Sequence, residues 1–100
     1  MNSNHYTKDR KAREEVIAKI GQGKAIKAVV VDRNHRNGLE VHIVTDTALV
    51  LIFNKESKKL ITKLIARPAQ ITRYFNEDEV VPKEVLELAR YHSKMGWNKL

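Results

Sequence analysis

Histidine is the side chain best suited to moving a proton near neutral pH, and this chain has four: His5, His35, His42 and His92. His42 sits in the alternating run Leu39-Glu40-Val41-His42-Ile43, on the face shared with Glu40 and Val44. Beside Lys63, Arg67 or Tyr74 it would make an acid–base group for cleaving a phosphodiester, the cations stabilising the transition-state charge. The plainer alternative is a partly exposed strand residue with no chemical task. His35 stands between Arg33 and Arg36 in a turn sharpened by Asn37-Gly38. Such a loop can contact phosphates, or be only a solvated hairpin turn. His5 belongs to the polar start of the chain, and His92 falls on an apolar helical stripe where it is expected to pack. No two histidines have the spacing of a metal pair on one element, so neither a metal site nor a cofactor is expected.

The cations are unevenly placed. Between residues 55 and 73 six basic residues, Lys55, Lys58, Lys59, Lys63, Arg67 and Arg73, face a single acid, Glu56. Between residues 77 and 87 five acids accompany only Lys83. A basic sheet edge near Tyr74 and Phe75 could hold a nucleic-acid backbone and stack a base. Lysines along an edge strand also discourage sheet-to-sheet aggregation, and the helical spacing of both aromatics from Ile71 makes them core. The acidic stretch reads as a solvated loop and helix start.

Composition sets the frame. One hundred residues make one domain, 1–100, with enough chain for one core. At 42% hydrophobic and 31% charged, the chain is that of an ordinary folded domain. A net charge of +7 favours acidic partners, nucleic acid first. The absence of cysteine excludes disulfides and thiolate metal sites. No phosphate-cradling glycine loop is present, because Gly21 and Gly23 precede a strand rather than open a helix. No serine lies in a nucleophile elbow. The longest apolar run, Ala48 to Phe53, is far short of a membrane span, and the start carries no signal-peptide core. No membrane association and cytoplasmic residence are the expectations.

The elements that must carry these residues follow from periodicity. Residues 1–6 are expected to be disordered. From about Thr7 a helix is predicted, with Ala12, Val16, Ile17 and Ile20 as its apolar stripe and Gly21 and Gly23 as its stop. Ala25 to Asp32 reads as a strand, Arg33 to Gly38 as a turn, and Leu39, Val41 and Ile43 as the apolar side of a half-buried strand. After Thr45-Asp46-Thr47, Ala48 to Phe53 resumes, with Leu49, Leu51 and Phe53 on one face and Val50 and Ile52 on the other. Asn54 to Lys58 is a second polar turn. Lys59 to Ala66 is the last strand, with Leu60, Thr62 and Leu64 on one face. Short turns between strands imply an antiparallel meander. Pro68 opens a short helix bearing Ile71, Tyr74 and Phe75, and Pro82 starts a last helix with the stripe Val85, Leu88, Ala89 and His92, stopped by Gly96. The fold class is α+β: N-terminal helix, four-stranded antiparallel meander, short helix and C-terminal helix. The first and last helices are the available cover for the sheet.

The stretch from Val41 to Arg67, with its Ala48-Leu-Val-Leu-Ile-Phe53 and Leu60-Ile-Thr62-Lys-Leu-Ile-Ala-Arg67 segments, resembles the sheet of small toxin-like ribonucleases of the barnase and RelE-type group. The resemblance covers about a quarter of the chain. It implies Thr62 and Arg67 near a scissile phosphate with His42 as acid or base. No matching catalytic residue is identifiable in the first helix, and the helix after Pro82 is an addition to that pattern. The small, basic character also suits a phage or mobile-element protein.

Three functional readings result. The first is a nucleic-acid-interacting domain, RNA-directed through the resemblance, binding through Lys55, Lys58, Lys59, Lys63, Arg67, Arg73, Arg33 and Arg36. The second is an interaction or assembly module that forms a homodimer through its sheet, since the third strand is apolar on both faces and needs cover on both. The third is a metal-independent ribonuclease using His42, Thr62 and Arg67.

Overall fold

The computed structural model describes residues 11, 14–33 and 38–96. The expected disorder of residues 1–6, the helix start near Thr7, and the turn bearing His35 and Arg36 lie outside the described residues. Residues 14–20 form helix α1, and Gly21 follows in the left-handed region at φ 76°, its N–H donating to Ile17 O at 3.0 Å. Four strands follow, β1 (Ala25–Arg33), β2 (Gly38–Thr45), β3 (Leu49–Asn54) and β4 (Leu60–Ile65), then helices α2 (Pro68–Arg73) and α3 (Lys83–Lys94). The sheet order is β1-β2-β3-β4, and every neighbouring pair is antiparallel. The fold is thus α+β with the expected meander.

Helices pack on both faces of the sheet. On one face Ile17 of α1, flanked by Val16 and Ile20, packs on Leu49 and Ile65. On the other, Val44, Val50 and Ile52 meet Ile71 of α2 and Val85 and Ala89 of α3, with Tyr74, Phe75 and Leu86 around them. This explains why β3 is apolar on both sides: Leu49, Val50, Leu51 and Ile52 are all buried.

The turn from β2 to β3 holds the linker that follows α1. Asp46 Oδ1 accepts from Lys24 N–H at 2.9 Å, and Asp46 N–H donates to Lys24 O at 2.9 Å. Thr47 Oγ1 donates to Gln22 O at 3.2 Å. Gly23, at φ 72°, is exposed but closely approached: a Cβ would lie 2.2 Å from Asp46 Oδ1 and 2.9 Å from Thr47 Cγ2. Only glycine fits.

Two expectations about faces are corrected. In β2 the buried side is Glu40, His42 and Val44, while Leu39 is exposed and Val41 and Ile43 are half-buried. The alternation is present with its polarity inverted, because α2 and α3 cover the side carrying Glu40 and His42. In β4 a register shift between Ile52 and Phe53 pairs Leu60 with Phe53 and Thr62 with Ile52. Ile61 is the additional residue of a β-bulge. Leu60 therefore leaves the row of Thr62 and Leu64 and joins the opposite face.

Candidate functional site

Two polar constellations stand out on the folded sheet, one buried and one exposed. The buried one is built on β2. Glu40 and His42 alternate onto the face beneath α2, and Tyr74, at the C-terminal end of α2, reaches down to them. His42 Nε2 lies 3.0 Å from Glu40 Oε1, and His42 Nδ1 lies 2.7 Å from the Tyr74 hydroxyl. A carboxylate only accepts, so Nε2 donates to Glu40. Nδ1 then accepts from the Tyr74 O–H in the neutral ring, or donates to the phenol oxygen in the cationic one. Both ring nitrogens are engaged in either state. His42 is 2% exposed and Glu40 7%, so this is a buried network satisfied from within.

The residues expected to act with His42 are placed as follows. Thr62 stands in its cross-strand row, His42–Ile52–Thr62, with β3 between them; two inter-strand steps are roughly 10 Å. Lys63 pairs with Leu51 and so faces the opposite side of the sheet. Arg67 is exposed at the start of α2, and Arg73 is exposed at its end. The structure joins His42 to Tyr74 and Glu40, not to Lys63.

The exposed constellation lies at one end of the sheet. The segment from Asn54 to Lys59 is a tight reversal: Asn54 N–H donates to Lys59 O at 2.9 Å, Lys58 N–H to Asn54 O at 2.8 Å, and Ser57 N–H to Asn54 Oδ1 at 2.8 Å. Lys55, Lys58 and Lys59 are all exposed on it. Lys55 N–H donates to Leu39 O at 3.0 Å, fastening the turn to the start of β2. The Arg33–Gly38 pair closes the β1–β2 hairpin at the same end. The Arg33 side chain and Arg36 lie outside the described residues. Arg67 is at the far end of β4, a six-residue strand of roughly 20 Å. The expected eight-residue basic set is therefore divided, with the lysine turn at one end and Arg67 at the other.

The acidic connection is less solvated than its composition implies. Glu79 forms a bidentate ion pair with Lys27 of β1, at 2.6 and 2.7 Å, and accepts from Asn76 N–H at 2.9 Å. Lys27 Nζ also lies 5.8 Å from the centroid of Phe75. The Lys27 contact, then the Asn76 N–H, hold the Glu79 carboxyl below the usual range. Nothing local in the sequence signals this pair, since its members are 52 residues apart. His92 packs on α3 as expected, 1% exposed. Burial lowers its pKa, opposed by the backbone of Thr47.

Compared with protein-family models, curated proteins and solved structures, the chain matches none. Among the described residues, no helix is long and apolar enough to cross a membrane.

Proposed function

We propose that this protein binds the phosphate backbone of nucleic acid through the hairpin end of its sheet. The observation that carries the reading is the turn bearing Lys55, Lys58 and Lys59, all exposed and locked by backbone hydrogen bonds to Asn54 and Leu39. A rigid turn presents ammonium groups with little backbone entropy left to lose on binding. The net charge of +7 adds long-range attraction for a polyanion. RNA is the preferred partner on the strength of the resemblance across residues 41–67.

Electrophoretic retardation of labelled RNA and DNA at low salt tests it, comparing the native chain with a Lys55→Ala/Lys58→Ala/Lys59→Ala variant. Affinity is expected to drop for both nucleic acids. The salt slope for duplex DNA should become shallower by up to about 2.7, as loss of three phosphate contacts requires. Equal affinity and equal slope for the two proteins would sink the reading.

Backbone binding is favoured over ribonuclease chemistry by the burial of His42. A ring 2% exposed, with both nitrogens hydrogen-bonded within the protein, offers no atom to a phosphodiester arriving from solvent.

A further inference from the structure

Among the described residues, the inverted polarity of β2 leaves an apolar surface on the face that α1 covers only in part. Val30, Val41, Phe53 and Leu60 form one cross-strand row spanning all four strands. Val30 is 53% exposed and Leu60 44%, with Val41 and Phe53 half-buried between them. Leu39, 42% exposed, extends the row toward the hairpin end. α1 packs on Leu49 and Ile65, at the other end of that face. The row thus lies directly beside the turn of Lys55, Lys58 and Lys59, and Lys63 stands on the same face, one row toward α1.

We infer that this open face receives the unpaired bases of a single-stranded nucleic acid, with Phe53 as the stacking ring, while the lysine turn and Lys63 hold the phosphates. The inference rests on the backbone-binding reading and adds base contact and strand state to it. Three features direct it. Phe53 is an aromatic in the middle of an apolar row, and a base stacks on such a ring whatever its identity. Three inter-strand steps make the row roughly 14 Å wide, and the open face of a four-stranded antiparallel sheet can stack two or three bases. Cations lie on the face and at its end, where a strand's phosphates would run. The acids near this surface are Asp32 at the β1 edge, Glu14 across the α1–β4 cleft from Lys63, and Glu56 between Lys55 and Lys58 in the turn; they leave β2, β3 and the three lysines of the turn as the path.

A second copy of the chain fits the same surface less well. Face-to-face packing about a twofold axis would gather two Lys63 residues and two lysine turns into one interface, where like charges repel. In a duplex the bases stack on one another, so the open face would be unused and only the lysines engaged.

Fluorescence anisotropy with a labelled single-stranded oligothymidylate of about 12 nucleotides, a length within single-domain site sizes, and a duplex of equal length provides the test. Phe53→Leu keeps an apolar side chain but removes the ring. It should weaken single-strand binding by about ten-fold or more, the loss of one base–aromatic stack, and leave duplex binding unchanged as the internal control of folding. Phe53→Trp should restore or tighten single-strand binding. The lysine triple variant should weaken both probes. If Phe53→Leu leaves the single strand bound as before while the lysine variant weakens it, base contact is refuted and backbone binding survives. If the lysine variant changes neither probe, the underlying reading has failed. A dimer in light scattering that Val30→Lys converts to monomer would assign the face to a second copy and overturn the inference.

Discussion

A histidine that spends both ring nitrogens inside the protein acts as a fastener. His42 joins β2 to the C-terminal end of α2 through Tyr74 and is itself braced by Glu40 two residues away. Removing one partner from a buried network leaves a polar atom without water or protein, which costs about 1–3 kcal/mol. Tyr74→Phe is therefore expected to lower the unfolding free energy by about that amount, read from urea midpoints at an unchanged m-value. The same variant should bind nucleic acid as the native chain does, because the hydroxyl faces the interior. A Tyr74→Phe protein with native stability and impaired binding would show that the network belongs to the ligand site. His42→Ala removes the ring from between Glu40 and Tyr74 and should cost more than Tyr74→Phe. RNA incubated with the native chain should stay intact.

At the scale of elements, the hairpin between β3 and β4 combines stability and proposed binding in one residue. Lys58 is exposed and sits at φ 62°, in the left-handed region where a Cβ costs roughly 1–2 kcal/mol. Glycine relieves that strain but loses about 0.4–1 kcal/mol through greater freedom in the unfolded chain. Lys58→Gly should thus stabilise the protein by about 0.5–1 kcal/mol while weakening nucleic-acid binding, an opposition that thermal melting and anisotropy on one sample would reveal. A gain in stability without loss of affinity would remove Lys58 from the interface. Gly23→Ala should act in the other direction, because a Cβ there would run into the Asp46 carboxylate that holds Lys24 N–H. Gly21, in the same backbone region with open space around it, is the control. A melting temperature for Gly23→Ala no lower than that of Gly21→Ala would refute the cost of that close approach. These elements were legible from local chemistry: β-branched density marked the strands, Asn54 and Gly38 their reversals, Pro68 and Pro82 the helix starts. Which side of β2 faces inward was not legible. The sign depends on Tyr74, 32 residues from His42 in the chain, and apolar periodicity alone favoured Leu39, Val41 and Ile43. The bulge at Ile61 was equally silent, since no glycine or proline marks it. The lysine turn of the candidate site was readable because charge and turn residues coincide, whereas the open apolar face beside it required the covering helices to be placed.

For the molecule as a whole, the two groups with displaced titration among the described residues lie in the layer formed by α2, α3 and the connection between them, so acid should loosen that layer first. Burial lowers the pKa of His92 from its ordinary 6.5. As pH falls below 6.5 the unfolded chain takes up a proton that the folded chain resists. Stability is therefore complete above that value and declines toward the lower folded pKa. One proton limits the slope to about 1.4 kcal/mol per pH unit. Glu79 is held below its ordinary 4.5 by Lys27 and the Asn76 N–H. Its contribution is complete above 4.5 and is lost as pH falls through its folded value. Acid should then weaken the protein in two stages, the first beginning near pH 6.5 and the second below pH 4.5. Urea midpoints measured from pH 8 to pH 3 should show both, at salt high enough to screen the general repulsion of a chain with net charge +7. His92→Gln should flatten the upper stage and leave the lower one, and Glu79→Gln should do the reverse. Persistence of the upper stage in His92→Gln would show that His92 is not its source.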